Sequence, residues 1–251
     1  MRKLLAALYS ILVYALFLAV FLYLIGFVEN VLVPKSIDSG QSGDIAGSLL
    51  IDAALLGLFA LQHSIMARPG FKRVWTRIVP EEIERSTFVL FASLALALVC
   101  WQWRPMTQTV WSVDDAVGSR TLLFVSWMGW GLLLLSTFLI SHFHLFGVSQ
   151  GLARLLGHAA PEPAFATPFL YRWLRHPLYA GFILAFWAAP HMTLGHVFFA
   201  IATTGYIFVG IWLEERDLVA YFGDRYRQYQ ASVGMLFPKV RIASPRKGVA
   251  R

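Results

Sequence analysis

The run LLAALYSILVYALFLAVFLYLIGFV, residues 4–28, decides the kind of fold, because it holds 25 consecutive residues without a charged side chain. A helix of about 20 mainly apolar residues is long enough to cross the hydrocarbon core of a bilayer. The run is too long for the apolar part of a signal peptide, which has about 7–15 residues, and no small-residue cleavage site follows it. We therefore expect a retained first transmembrane helix, preceded by Met1, Arg2 and Lys3.

Five further apolar segments follow, at residues 48–66, 86–103, 121–140, 178–193 and 196–213. The last two are short and lie only two residues apart, so they predict a helical hairpin, and both five and six transmembrane segments stay open. The chain is 58% hydrophobic and 14% charged, against roughly 25% charged in a soluble domain. The expected fold class is an all-α, polytopic integral membrane helix bundle. Trp101, Trp103 and Trp111 fit an aromatic belt at one membrane interface.

The 21 lysines and arginines predict the topology. With both termini and the even-numbered loops in the cytoplasm, all of them except Lys35, Arg104 and Arg120 lie on the cytoplasmic side, as the positive-inside rule requires. The net charge of +7 borders the apolar segments and forms no continuous stripe. We therefore expect membrane lipids as partners, no nucleic acid and no obligatory protein partner. The single cysteine, Cys100, excludes an internal disulfide.

The chain is expected to form one membrane domain over residues 1–251. Within it we distinguish a four-helix bundle at residues 1–146, a polar-motif core at 171–238 and a basic tail at 239–251. A proline-bearing linker, residues 147–168, joins the bundle to the core.

Three polar motifs of the core carry the chemistry: RHPLYAG at residues 175–181, EERDL at 214–218 and GDRYRQY at 223–229. Proline suits the first turn of a helix, where its missing N–H is not needed. The first motif therefore begins the apolar hairpin and the second ends it. Because a helical hairpin brings its two ends together, we expect both motifs in one pocket at the cytoplasmic face, with the third forming a closing helix.

Five side chains are predicted to line this pocket: Arg175, His176, Tyr179, Glu214 and Glu215. A guanidinium pairs with a ligand carboxylate. Glutamate side chains bind an amine or ribose hydroxyls, and a cation is stabilised beside a carboxylate or an aromatic face. The set therefore suits a zwitterionic cofactor that carries an additional positive charge. The alternative is that the charged members are interfacial residues whose side chains snorkel to water.

The order and spacing of the three motifs resemble the isoprenylcysteine carboxyl methyltransferase and phospholipid methyltransferase superfamily. The resemblance implies that residues 171–238 enclose S-adenosylmethionine at the cytoplasmic face, and that the five side chains of the pocket contact it. It extends less securely to Tyr226 and Tyr229 of the third motif, which could serve only to pack the closing helix.

The upstream half narrows the resemblance. The stretches LQHSIMARP at residues 61–69, WQWRP at 101–105 and SHFHLFG at 141–147, together with residues 75–87, look like the bacterial membrane-bound methanethiol S-methyltransferases. NnrU-like proteins share part of this pattern. The resemblance implies methylation of methanethiol to dimethyl sulfide, with hydrogen sulfide as a further candidate acceptor, in a bacterial inner membrane. Residues 1–146 would then form the acceptor side.

Ionisable side chains inside the membrane are candidates for activating a thiol, because the thiolate is the competent nucleophile. Asp52 and His63 lie three helical turns apart on one face of the second segment, about 16 Å along its axis. His63, at the cytoplasmic end, is the first candidate for the base, and Asp52 fits a packing or water-cavity role. His142 and His144 point to different faces of a helix, so only one, His144 in our assignment, is expected at the site. No metal site is expected.

Two other functions remain open. The enzyme could methylate a larger lipid acceptor, either a phospholipid amine or an isoprenylcysteine carboxylate. Alternatively, the chain could be a non-enzymatic NnrU-like membrane protein or transporter in which the histidines and Asp52 line a proton path, which predicts no affinity for the cofactor. No histidine pair has the spacing expected of a haem or quinone site.

Overall fold

The computed structural model describes residues 1–157 and 165–239 of the 251-residue chain. In chain order these residues form α1 (Arg2–Glu29), α2 (Ile45–Ala67), α3 (Pro69–Trp75), α4 (Glu81–Gln102), β1 (Thr109–Ser112), α5 (Ala116–Ile140), α6 (His142–Leu145), α7 (Val148–Leu156), α8 (Pro177–Trp187), β2 (His191–Thr193), α9 (Leu194–Phe222) and α10 (Asp224–Ser232). The expected fold class is confirmed, since the two short strands are a minor part of the described chain.

Within the described residues, five helices are long and apolar enough to cross a membrane: α1, α2, α4, α5 and α9. Their outward faces carry large apolar side chains that remain exposed, such as Leu12 (68%), Leu50 (73%) and Leu61 (63%). A soluble protein does not expose apolar surface on this scale. Because lipid is the solvent for such surfaces, the protein is an integral membrane protein.

The segment at residues 178–193 does not form a sixth span. Helix α8 has 11 residues and is therefore about 16 Å long, half the thickness of the hydrocarbon core. Pro190, three residues beyond its end, cannot continue a helix. The chain instead forms β2, which pairs antiparallel with β1 in the register Thr109↔Thr193 and Ser112↔His191. This two-stranded ribbon was not predicted, and we call its side of the molecule the ribbon end.

The opposite side, where Arg175 and Glu215 meet, is called the motif end. Helices α2, α5 and α9 all begin at the ribbon end with a side chain that accepts a backbone N–H. Asp44 accepts from Gly47, Asp115 accepts from Gly118, and Thr193 accepts from His196. Such caps satisfy donors that lack partners inside the helix. The alternating directions of the long helices place the ends of α2 and α9 beside the starts of α4 and α8 at the motif end.

The core near the ribbon end corrects the expected aromatic belt. Trp103 is fully buried, and its indole N–H donates to the backbone oxygen of Ile37 at 3.2 Å. Its ring packs edge-on against Phe27 at 6.0 Å between centroids. Trp101, by contrast, is 70% exposed. The two tryptophans differ because Trp101 still belongs to α4, whereas Trp103 follows the helix and turns back into the bundle.

The closest packing in the bundle joins α5 to α8 through two glycines. A Cβ added to Gly181 would lie 2.7 Å from the backbone oxygen of Gly129, and one added to Gly129 would lie 2.6 Å from the backbone oxygen of Gly181. The two helices can approach this closely only because neither position carries a side chain. The last residue of the RHPLYAG motif is thus needed for helix packing, which sets the position of the whole motif.

We expect Gly181→Ala to destabilise the protein by about 1–3 kcal/mol, since an added methyl must push two backbones apart. The measurement is the midpoint of thermal unfolding in detergent. Gly131→Ala is the matched control, because Gly131 is on the same helix α5 and nothing lies within 4 Å of its Cβ position. A Gly181→Ala midpoint equal to that of the control would contradict this account of the helix contact.

Candidate active site

The RHPLYAG motif begins α8 at the motif end, with His176 preceding the helix and Pro177 in its first turn. The backbone just before α8 pairs with the segment that follows α10. Arg175 N–H donates to the oxygen of Gly234 at 2.8 Å, and His176 N–H donates to that of Met235 at 3.1 Å. Leu174 and Gly234 form a parallel bridge. These bonds make a strap, residues 233–236, that holds the closing helix α10 against the start of α8.

Glu215, on α9, is the centre of the polar cluster. One carboxylate oxygen accepts from Arg175 Nε at 2.6 Å and lies 2.9 Å from His176 Nε2. The other accepts from Gln230 Nε2 at 2.8 Å. Arg175 Nη1 also donates to the backbone oxygens of Gln230 and Val233. The Glu215 side chain is only 14% exposed, so its partners replace the water it has lost. A single carboxylate thus connects α8, α9 and α10.

Glu214 differs from its neighbour in being accessible. Its side chain is 45% exposed. One oxygen accepts from the Tyr179 hydroxyl at 3.1 Å and lies 3.9 Å from His176 Nδ1. The other has no hydrogen-bond partner among residues 1–157 and 165–239. Of the two adjacent carboxylates, Glu215 is committed to holding the fold, and Glu214 is able to accept a bond from a ligand.

All five side chains predicted for the pocket therefore lie together at the motif end. Two residues that the sequence did not single out join them, Gln230 and the strap residue Val233. A cleft of about 240 Å³ opens to the surface beside Glu215 and Gln230, with Trp212, Arg216 and Val219 on its other walls. Gln230 follows the third motif by a single residue, but a glutamine in a polar helix carries no signal that distinguishes a buried contact from a solvated one.

The tyrosines of the closing helix point inward. Tyr226 is 2% exposed and its hydroxyl lies 3.5 Å from Glu215. The Tyr229 hydroxyl donates to the backbone oxygen of Tyr171 at 2.5 Å. Burial raises the pKa of Tyr229 to about 12, and burial also raises the pKa of Tyr226 well above its usual range. Both hydroxyls therefore remain protonated donors at neutral pH and help to fix α10.

His63 lies on the other side of α9, in contact with Tyr206. His63 Nδ1 is 2.9 Å from the Tyr206 hydroxyl, which also lies 3.2 Å from Ser64 Oγ. The imidazole stacks on Phe59 at 5.5 Å and packs against Phe88 at 5.0 Å between centroids. Its Nε2 has no hydrogen-bond partner among the described residues. Nδ1 is therefore occupied by the protein, whereas Nε2 is available to a ligand.

Tyr206 was missed in the sequence. It precedes Glu214 by eight residues on α9, just over two helical turns, so the two share one face about 12 Å apart along the axis. That spacing was the available signal. It was hidden because α9 is apolar around Tyr206, where a tyrosine usually serves packing. Through Tyr206 and Glu214, one face of α9 joins the His63 contact to the five-residue cluster.

The two histidines of α6 have separate environments, as their spacing predicted. His142 is buried, with Nε2 at 2.8 Å from the Tyr14 hydroxyl and Nδ1 at 2.8 Å from Thr137 Oγ1. Both of its nitrogens are engaged, so it holds α1 to α5. His144 Nδ1 is buried and has no partner among the described residues. Burial lowers the pKa of His144, and the nearby charges of Arg85 and Lys72 lower it further, so this imidazole is neutral at pH 7.

Asp52 lies away from this cluster, toward the ribbon end. It is fully buried, and one of its oxygens accepts the backbone N–H of Arg104 at 2.9 Å. That bond satisfies a donor just beyond the end of α4, which fits the packing role expected for Asp52.

Comparison with known proteins follows the same pattern. No family model matches the chain, and no solved structure does. It is 54% identical to methanethiol S-methyltransferase 1 of Bradyrhizobium diazoefficiens over 94% of its own length and 83% of that protein. It is 49% identical to methanethiol S-methyltransferase of Mycobacterium tuberculosis, over 95% and 98% of the two chains. Nurim of Danio rerio is more distant, at 26% identity over 74% and 70%.

The five apolar helices and these relatives define an integral membrane methyltransferase. Within that class, the chain belongs to the methanethiol S-methyltransferase family. The non-enzymatic alternative is therefore set aside.

Proposed function

We propose that the protein transfers the methyl group of S-adenosylmethionine to methanethiol, forming dimethyl sulfide. The observation that carries this proposal is the 54% identity, over 94% of the chain, to a relative named for this methyl acceptor. Hydrogen sulfide is a second candidate acceptor of the same chemistry. A small apolar thiol can dissolve in the bilayer, which suits a site whose acceptor side, in the region 1–146, lies among membrane helices.

The chemistry of the pocket residues fits the proposed cofactor. When bound, S-adenosylmethionine supplies a methyl group on a positively charged sulfur. Glu214 offers an accessible carboxylate with one free oxygen, and Tyr179 orients that carboxylate from the other oxygen. An accessible carboxylate attracts a cationic ligand in a membrane-bound site where water is scarce. His176 Nδ1 faces the same carboxylate.

Arg175 and Glu215 are assigned a different share of the binding. Their 2.6 Å ion pair and the bonds from Arg175 to the strap carbonyls hold the closing helix in place. A guanidinium carries five N–H donors, and Arg175 uses Nε and Nη1 within the protein. Its Nη2 remains for the carboxylate of the cofactor. We propose that these two residues shape the pocket and keep α10 closed over it.

His63 is proposed as the base that accepts the thiol proton at Nε2. Tyr206 binds the opposite nitrogen at 2.9 Å and so fixes the ring and its tautomer. Proton loss leaves the acceptor sulfur as a thiolate, whose electron pair forms the new S–CH3 bond. The old S–CH3 bond breaks, and its electron pair returns to the sulfur of the cofactor. His144, across Arg85 from His63, is proposed to line the same acceptor pocket.

The membrane orientation is also a proposal. The distribution of lysine and arginine supports cytoplasmic termini and a cytoplasmic motif end, in a bacterial inner membrane. The polar cofactor would then reach the core at residues 171–238 from the cytoplasm, and the thiol would reach the bundle at residues 1–146 from the bilayer. The tail at 239–251 lies outside the described residues, apart from Lys239.

The direct test is a headspace assay for dimethyl sulfide with purified, detergent-solubilised protein, S-adenosylmethionine and methanethiol. We expect product only when all three are present, and methanethiol as product when hydrogen sulfide is the acceptor. A parallel incubation with labelled cofactor and bacterial phospholipid tests the lipid alternative. Labelled lipid without dimethyl sulfide would overturn the proposal. Calorimetry with S-adenosylhomocysteine separately tests the cofactor site.

A further inference from the structure

A guanidinium without an ionic partner lies at the motif end of α4. Arg85 Nε donates to the backbone oxygen of Leu145 at 2.7 Å, and its Cζ lies 4.8 Å from the centre of the Phe88 ring. Its two terminal nitrogens have no hydrogen-bond partner among the described residues, and no described carboxylate lies within 4.0 Å of it. A half-buried charge left unpaired in a membrane protein is expensive and points to a function.

The other charges near Arg85 cancel in pairs. Lys72 Nζ lies 3.8 Å from Glu84, and Arg68 Nη1 lies 2.9 Å from Asp217. Each pair joins one cation to one anion, so Arg85 is the uncompensated charge of this region. The neutral His144 adds no charge, but its buried Nδ1 lacks a partner. A net positive site with unfilled polar groups favours a small anion.

Arg85 also lies next to the proposed base. His63 and Arg85 pack against the same ring, that of Phe88, at 5.0 Å and 4.8 Å from its centre. The unpartnered Nε2 of His63 and the unpartnered terminal nitrogens of Arg85 are therefore neighbours. A group that loses a proton to the first would be an anion beside the second.

We propose that Arg85, with His144, forms an anion site that binds the methyl acceptor as its thiolate or hydrosulfide. The inference rests on the proposed function. The thiol proton passes to His63 Nε2, and the negative sulfur is held by the guanidinium until its electron pair forms the S–CH3 bond. The thioether product is neutral, so Arg85 no longer attracts it. The same charge repels a protonated lipid amine, which makes Arg85 a specificity determinant as well.

The test compares Arg85→Gln with Arg77→Gln, a control at an exposed arginine of the same region. We expect Arg85→Gln to lower kcat/KM for methanethiol about 100-fold at neutral pH, the effect of removing one charge-stabilising donor from an active site. The deficit should shrink as the pH approaches the pKa of the thiol itself. A more acidic acceptor, 2,2,2-trifluoroethanethiol, should recover most of the lost rate. The affinity for S-adenosylhomocysteine should stay within twofold of wild type.

Each other outcome has a definite meaning. A matching loss of S-adenosylhomocysteine affinity would assign Arg85 to the carboxylate of the cofactor and overturn the inference. An equal rate loss for both thiols at every pH would indicate a structural role and also overturn it. If Arg85→Gln does not fold, Arg85→Lys decides. It keeps the charge and is expected within tenfold of wild type, and inactivity of a folded, cofactor-binding Arg85→Lys would contradict the charge argument. Failure of wild type to methylate any thiol would instead refute the proposed function.

Discussion

Replacement of Glu215 by Gln is expected to lower the affinity for S-adenosylhomocysteine by at least about 100-fold. The carboxylate accepts bonds from Arg175, His176 and Gln230, and an amide has only one oxygen with which to replace two. Arg175 would be left as a largely buried charge without its anion, a change that typically weakens a site by about 3–5 kcal/mol. Because α10 and the strap are held by the same residues, the closing helix would loosen over the pocket.

The measurement is calorimetry on detergent-solubilised protein, together with thermal unfolding. We expect the unfolding midpoint to fall much less than the affinity, because the packed core around Phe27 and Trp103 lies at the other end of the molecule. Glu81→Gln is the matched control, since Glu81 is exposed in the first turn of α4. Wild-type affinity in Glu215→Gln would remove the carboxylate from the cofactor site.

The second large effect is expected for His63→Ala. Loss of a general base lowers turnover by about 100- to 10,000-fold, whereas the cofactor cluster of Arg175 and Glu215 does not include His63 and should bind S-adenosylhomocysteine as before. Dimethyl sulfide formation and calorimetry measure the two quantities on the same sample. Tyr206→Phe should produce a smaller loss of turnover, because it keeps the imidazole and removes only the hydroxyl that orients it.

Two other histidines frame this experiment. His191→Ala, on the exposed face of β2, is expected to have wild-type turnover. His142→Ala should lower stability, because it removes bonds to Tyr14 and Thr137 and leaves two buried hydroxyls without a partner. If His63→Ala lost cofactor binding and stability together, it would resemble His142→Ala, and its role would be structural.

Much of the arrangement at the motif end was predictable from the sequence. Pro177 marks a helix start, and Glu214 and Glu215 follow an apolar run, so hairpin geometry alone places these ends together. What the sequence did not distinguish is the division of labour between the two glutamates. Adjacent residues on a helix point about 100° apart, and which of them faces the protein depends on the rotation of α9 in the bundle.

The missed features depend on tertiary contacts. The apolar content of residues 178–193 predicted helix, yet the last part forms β2 because β1, some 80 residues earlier, supplies its hydrogen bonds. Trp103 was assigned to a membrane interface from its position after an apolar run, but the loop carrying Ile37 folds over it. Such pairings between distant segments leave no periodic trace in either one.

The strap has a consequence for the order of events during biosynthesis. The carbonyls of Gly234 and Met235 that receive the N–H groups of Arg175 and His176 are made about 60 residues after them, when the long helices have already been translated. The ribosome must therefore complete almost the entire message before the pocket can close. A nascent chain or a product shortened to residue 232 would contain every transmembrane helix and still be unable to retain its methyl donor.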